Sequence, residues 1–170
     1  LHIVTTDVLG GEEVLLSEGP LDAALLASTA IPVVFPAVGV GEHLLMDGGV
    51  SSNTPIASAV RLGAERILVL PTGMSCALQQ PPRNMAALAL HVLSLLSMRQ
   101  LDRDVVIYAP QARITIVPPL CPLAVSALDF SSTRDLIERT RRQTERWLAQ
   151  DGLQQTGPLH VPLAHHDHRH

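Results

Sequence analysis

A short all-apolar run, Ile67 to Leu70, follows a segment that opens at Thr54-Pro55 and stops at Gly63. This succession most limits what the chain can fold into. A brief, uninterrupted apolar run matches a strand covered on both faces in a parallel sheet. Proline at an early helical position, with Ala57, Val60 and Leu62 as an apolar side, predicts a helix before it. Upstream, His43 to Met46 predicts another short strand. Strand, helix and strand with short links make a βαβ unit, so an α/β fold with a largely parallel sheet is expected.

The flanking sequence adds elements to this unit. Leu1 to Val8 is β-rich, and Gly10-Gly11 marks a turn before Val14 to Leu16, which predicts a hairpin or two neighbouring strands. After Gly19-Pro20, Leu21, Ala24, Leu25 and Ser28 form a helical stripe that Pro32 and Pro36 bring to an end. Met85 to Met98 is apolar at nearly every position but shorter than the roughly 20 residues of a bilayer span. It predicts a buried helix or one lying on a membrane surface. Val105 to Tyr108 and Ile114 to Val117 read as strands split by Pro110. Ser132 with Asp135 resembles a capping box, opening a helix that buries Ile137, Thr140, Thr144 and Trp147 and turns Arg134, Arg141 and Glu145 to water. Gly152 ends it. One domain over 1–152 is expected, followed by a loose His-rich tail over 153–170.

An apolar share of 46% excludes a disordered chain. A net charge of -4, with no basic run interleaved with aromatics, gives no reason to expect nucleic acid. Cys76 and Cys121 lack zinc-site spacing and read as small, at least half-buried residues, with a single disulfide between them left open. The end of the tail, His165-His166-Asp167-His168-Arg169-His170, reads as a solvated terminus or a loose chelator of nickel or zinc. No cofactor is expected. Leu1 opens directly in an apolar run with no Met, charged n-region or cleavage site, so the chain reads as a fragment whose compartment cannot be told.

The richest stretch is Ala27-Ser28-Thr29-Ala30-Ile31-Pro32, then Phe35-Pro36, then Leu45-Met46-Asp47-Gly48-Gly49, then Asn53-Thr54-Pro55. Alone, Asp-Gly is a common turn whose carboxylate bonds nearby amides. In this order the motifs resemble the patatin-like phospholipase family, in its bacterial form. Thr5-Thr6-Asp7 with Gly11-Glu12, Pro71-Thr72-Gly73, Pro118 to Pro122 and Asp129-Phe130-Ser131 extend the resemblance to about Gly152, while Ala37 departs from the family's second proline. The resemblance implies the C-terminal part of a three-layer α/β/α catalytic domain that hydrolyses lipid esters with a Ser-Asp dyad and no histidine. It makes Asp47 the catalytic acid and Gly48-Gly49 its motif, and a lipid or membrane surface the partner. A carboxylate with pKa near 4 is a weak base for a hydroxyl, so such a site relies on a short hydrogen bond and oxyanion stabilisation. The sequence contains no Gly-x-Ser-x-Gly, and the chain alone is expected to be inactive.

Gly73-Met74-Ser75-Cys76-Ala77 nearly copies a nucleophile elbow, which would make Ser75, His43 and Asp47 a triad. The final glycine is missing, and His43 stands about 13 Å along the strand from Asp47, which favours a loop residue. His91 reads as a satisfied core histidine. A rival reading is a catalytically dead module that binds lipid or a partner through Met85 to Met98. A half-sheet would expose an edge, so poor solubility or association is expected.

Overall fold

A computed structural model describes residues 1–72, 82, 84–120, 123 and 130–154. Ser75, Cys76, Cys121, Asp129 and the tail histidines lie outside the described residues. The chain divides into two compact units, one from Leu1–Ser58 with Pro82–Asp104, the other from the described residues of Ala59–Pro81 and Val105–His170.

In the first unit, β1 (Ile3–Asp7) and β2 (Glu13–Leu16) pair as the expected hairpin. Asp7 shapes its turn: Oδ1 accepts the amides of Leu9 at 3.0 Å and Gly10 at 2.7 Å, and Gly11 takes φ +70, which a side chain would disfavour. β3 (Val38–Val40) and β4 (His43–Asp47) form a second hairpin, and the sheet order is β2-β1-β4-β3 with every pairing antiparallel.

Helix α1 (Leu21–Ser28) lies on β1, β3 and β4. It buries Ala24 and Ala27, while Leu21, Leu25 and Leu26 are exposed. Small side chains let the helix backbone approach the sheet, so of the stripe read in the sequence Ala24 is covered and Ser28 half-covered, while Leu21 and Leu25 are not. Leu45, Ile56, Thr5 and Thr6 are the largest fully buried side chains. Short α2 (Gly49–Ser52) follows β4 and packs on β1. The next helix, α3 (Ile56–Arg61), begins just after Pro55 and buries Ile56 and Ser58 rather than Ala57, Val60 and Leu62.

In the second unit, β5 (Arg66–Val69) and β6 (Arg113–Ile116) pair in parallel, from Arg66↔Arg113 to Val69↔Ile116. This pair is the parallel component; the expectation of a largely parallel sheet is corrected, because the four-stranded sheet is antiparallel and β4 and β5 fall in different sheets. The physical reason is connection length: tight glycine turns join β1 to β2 and β3 to β4, and such turns can join only antiparallel neighbours. The run Ile67 to Leu70 is not covered on both faces either, since Leu68 and Leu70 are exposed and only Val69 is buried. The chain is thus a mixed α/β fold.

Helix α4 (Met85–Tyr108) is longer than expected and takes in Val105 to Tyr108, read in the sequence as a strand. Asn84 starts it, its Oδ1 accepting the Ala87 amide at 2.7 Å. Nothing between Arg99 and Tyr108 breaks a helix, so the β-branched run continues the helix and the chain turns only at Ala109 and Pro110. Met85, Leu88, Val92, Leu95 and Leu96 are exposed and His91 is half-buried, so Met85 to Met98 is not a buried helix.

Helix α5 (Thr133–Ala149) buries none of its residues. Ile137, Thr140 and Thr144, with Leu136 and Leu148, instead line an open groove with Arg141 and Glu145. Ser132 makes no side-chain cap, so the capping box is not formed. Its counterpart Asp135 pairs with Arg139 at 3.4 Å. After the helix, Gly152 lets the Trp147 ring pack where a Cβ would stand 2.2 Å from Cε2.

Candidate functional site

Asp47 is the last residue of β4 and stands opposite Thr5 of β1. Its main chain is held on two sides: its amide donates to Ala30 O at 3.1 Å, and its carbonyl accepts the Thr6 hydroxyl at 2.8 Å. The carboxylate is held at one oxygen, Oδ1, which accepts the Gly49 amide at 2.7 Å. That contact is the ordinary Asp-Gly turn bond expected of such a dipeptide. Oδ2 has no partner among the described residues. No fully buried side-chain oxygen or nitrogen lacks a hydrogen bond among them, so Oδ2 keeps access to solvent. Partial burial raises the Asp47 pKa above its ordinary value, and the Gly49 amide opposes that rise.

Gly48 and Gly49 are required by space. Gly48 has φ -63, which any residue tolerates, but a Cβ there would stand 2.3 Å from Val4 O and 2.7 Å from Val4 C. A Cβ on Gly49 would come within 2.9 Å of both Asp47 Oδ1 and Asn53 Oδ1. The glycines therefore let β1 and the carboxylate close onto the same turn. Asn53, singled out in the sequence motif, lies at the C-terminal end of α2.

Residues to which sequence reasoning gave no part in the site complete the turn. Thr6, fully buried, also accepts the Ser51 amide at 3.2 Å and pairs with Ser51 Oγ at 2.9 Å. Gln100 Nε2 donates to Ser51 O at 2.7 Å. Thr6 and Ser51 lie 45 positions apart, so no local pattern could reveal the link.

His43 does not join Asp47. Its Nδ1 lies 3.8 Å from Asp7 Oδ2, on a largely exposed side chain. The Gly10 amide above all holds the Asp7 carboxyl below its usual range; desolvation opposes it, and the Leu9 amide and His43 add to the lowering. A triad through His43 and Asp47 is therefore not assembled, and Ser75 lies outside the described residues. Among the described residues no group of His, Cys, Asp and Glu is placed to hold a metal ion, and no helix is long and apolar enough to cross a membrane.

The unit that carries Asp47 is thus an antiparallel sheet capped by a helix, with a carboxylate at the mouth of a strand-to-helix turn. The family model of patatin-like phospholipases matches residues 3–60, which contain this sheet, α1 and the Asp47 turn. The chain is similar to an uncharacterized NTE family protein of Mycobacterium tuberculosis (strain ATCC 25618 / H37Rv), 44% identical over 62 residues, or 36% of this chain and 17% of the relative. It is also similar to an uncharacterized NTE family protein of Mycobacterium bovis (strain ATCC BAA-935 / AF2122/97), 38% identical over 52 residues, 31% of this chain and 9% of the relative. These matches take in less than a fifth of each relative's length. The later motifs at Pro71 to Gly73 and beyond Pro118 lie outside the segment that the family model matches.

Proposed function

We propose that the chain is part of a lipid acyl hydrolase in which Asp47 is the acid of a Ser-Asp dyad. The serine, in a Gly-x-Ser-x-Gly elbow that these 170 residues do not contain, would come from further sequence of a longer polypeptide, which would also complete a three-layer fold. One observation carries the reading: in the segment matched by the patatin-like model, Asp47 holds Oδ1 on the Gly49 amide and leaves Oδ2 open. An immobilised carboxylate with one free oxygen is suited to accept a hydroxyl proton.

In the proposed reaction, Asp47 Oδ2 takes the serine proton as the serine oxygen bonds the ester carbonyl carbon. The resulting acid returns the proton to the departing alcohol, leaving an acyl-serine. Water then attacks the acyl-serine, gives a proton to Asp47, and releases the fatty acid as the proton returns to the serine. Partial burial favours this chemistry, since a raised pKa makes the carboxylate a better base. Asp47→Asn in the longer polypeptide is expected to lower ester turnover by about 10²-fold or more with the fold intact. Unchanged turnover would overturn the proposal. The 170-residue chain alone is expected to show no hydrolysis of a p-nitrophenyl ester.

A second reading, a non-catalytic module that binds lipid or a partner, is favoured by the exposed Met85, Val92 and Leu96 on α4. Co-sedimentation of the chain with liposomes at low salt tests it, and absence of binding counts against a membrane role.

A further inference from the structure

We propose that Thr6 is the positioning residue for Asp47, its hydroxyl tying the end of β4 to the first turn of α2 so that one carboxylate oxygen stays on Gly49 and the other stays open. The inference rests on the dyad reading above and extends it to a residue that touches no reacting atom.

Hydrogen accounting fixes the direction of each bond. A hydroxyl offers one donor and two acceptor positions. The Asp47 carbonyl can only accept, so Thr6 gives it its proton, at 2.8 Å. The Ser51 amide can only donate, at 3.2 Å, and fills one acceptor position. Ser51 Oγ, at 2.9 Å, faces the other acceptor position and also has the Gly48 carbonyl as an acceptor at 3.4 Å, so its one proton is shared between the two. Every capacity of the Thr6 hydroxyl is used, on a side chain with no solvent exposure.

The bonds span the Asp47-Gly48-Gly49 turn from both ends. Thr6 grips the peptide oxygen of Asp47 before the turn and the amide of Ser51 after it. Gln100 holds the Ser51 carbonyl from α4 at 2.7 Å. The Gly49 amide that fixes Asp47 Oδ1 lies between these anchors. Valine would fill the same volume, yet it would leave the Asp47 carbonyl and Ser51 amide without their buried partner.

The test uses the 170-residue chain and reads the Asp47 carboxyl titration and the Gly49 amide resonance by NMR, beside Tm. Loosening the turn weakens the amide bond that opposes the raised pKa. Thr6→Val is expected to move the Asp47 titration upward by about half a unit or more and to shift Gly49, and Thr6→Ser to restore both. A folded Thr6→Val with both signals unchanged, or a folded Thr6→Ser that fails to restore them, overturns the proposal. Should Thr6→Val not fold, Ser51→Ala decides: a smaller shift in the same direction supports the link, and no shift overturns it. Loss of the dyad reading is separately visible, because active Asp47→Asn in the longer polypeptide would sink the dyad while leaving these titrations as they are.

Discussion

Gly48 and Val4 are in closer backbone contact than any side chain at position 48 would permit, with an added Cβ only 2.3 Å from the Val4 carbonyl oxygen. The obstacle is main chain of a central strand and cannot rotate away. Gly48→Ala is therefore expected to destabilise the chain by about 1–3 kcal/mol, read as a lowered urea midpoint. Gly39→Ala, at a site where an added Cβ meets nothing within 4 Å, should leave the midpoint nearly unchanged. Equal effects would contradict the packing described.

The Asp47 carboxyl titrates above its ordinary value because burial disfavours its charged form. The linkage follows that sign: its contribution to stability is full below the unfolded pKa, 3.8, and is lost as pH rises through the folded value. Asp47→Asn should accordingly be at least as stable as the parent chain near pH 7, with its advantage shrinking as pH falls through the folded pKa and gone below 3.8. Tm measured across that range checks it, and a variant less stable at pH 7 than at pH 3.5, relative to the parent, would go against it.

Val33 holds φ +73, a left-handed conformation that a β-branched side chain disfavours, on a residue 74% exposed. Little packing is lost by removing its side chain. Relief of about 1–2 kcal/mol of strain outweighs the added flexibility of glycine in the unfolded chain, about 0.5–1 kcal/mol. Val33→Gly should raise stability by up to about 1.5 kcal/mol, and a clear loss in chemical denaturation would contradict this.

The first hairpin was legible because a glycine pair and an Asp mark its turn, and β4 because it runs directly into Asp47-Gly48-Gly49. The sheet direction was not, since an apolar run such as Ile67 to Leu70 records hydrophobicity and not the direction of its neighbour. Val105 to Tyr108 carried strand-like residues, yet local continuity with α4 prevailed over propensity. The stripes on α1 and α5 were legible only in part. Spacing identified the helices, but the face that packs depends on what lies beside it: in α1, Ala24 of the stripe and Ala27 outside it are buried, while Leu21 and Leu25 of the stripe are exposed. Asp47 itself stood out through its motif. Thr6 stood in the Thr5-Thr6-Asp7 run, but its link to Asp47 and Ser51 was not legible, because those partners are distant in sequence.

The central claim is that Asp47 activates a serine, and the most direct measurement is the rate at which a fluorophosphonate labels the elbow serine of the longer polypeptide. With Asp47→Asn, labelling near pH 7 should slow by about a hundredfold or more. Labelling at the parent rate would contradict the account.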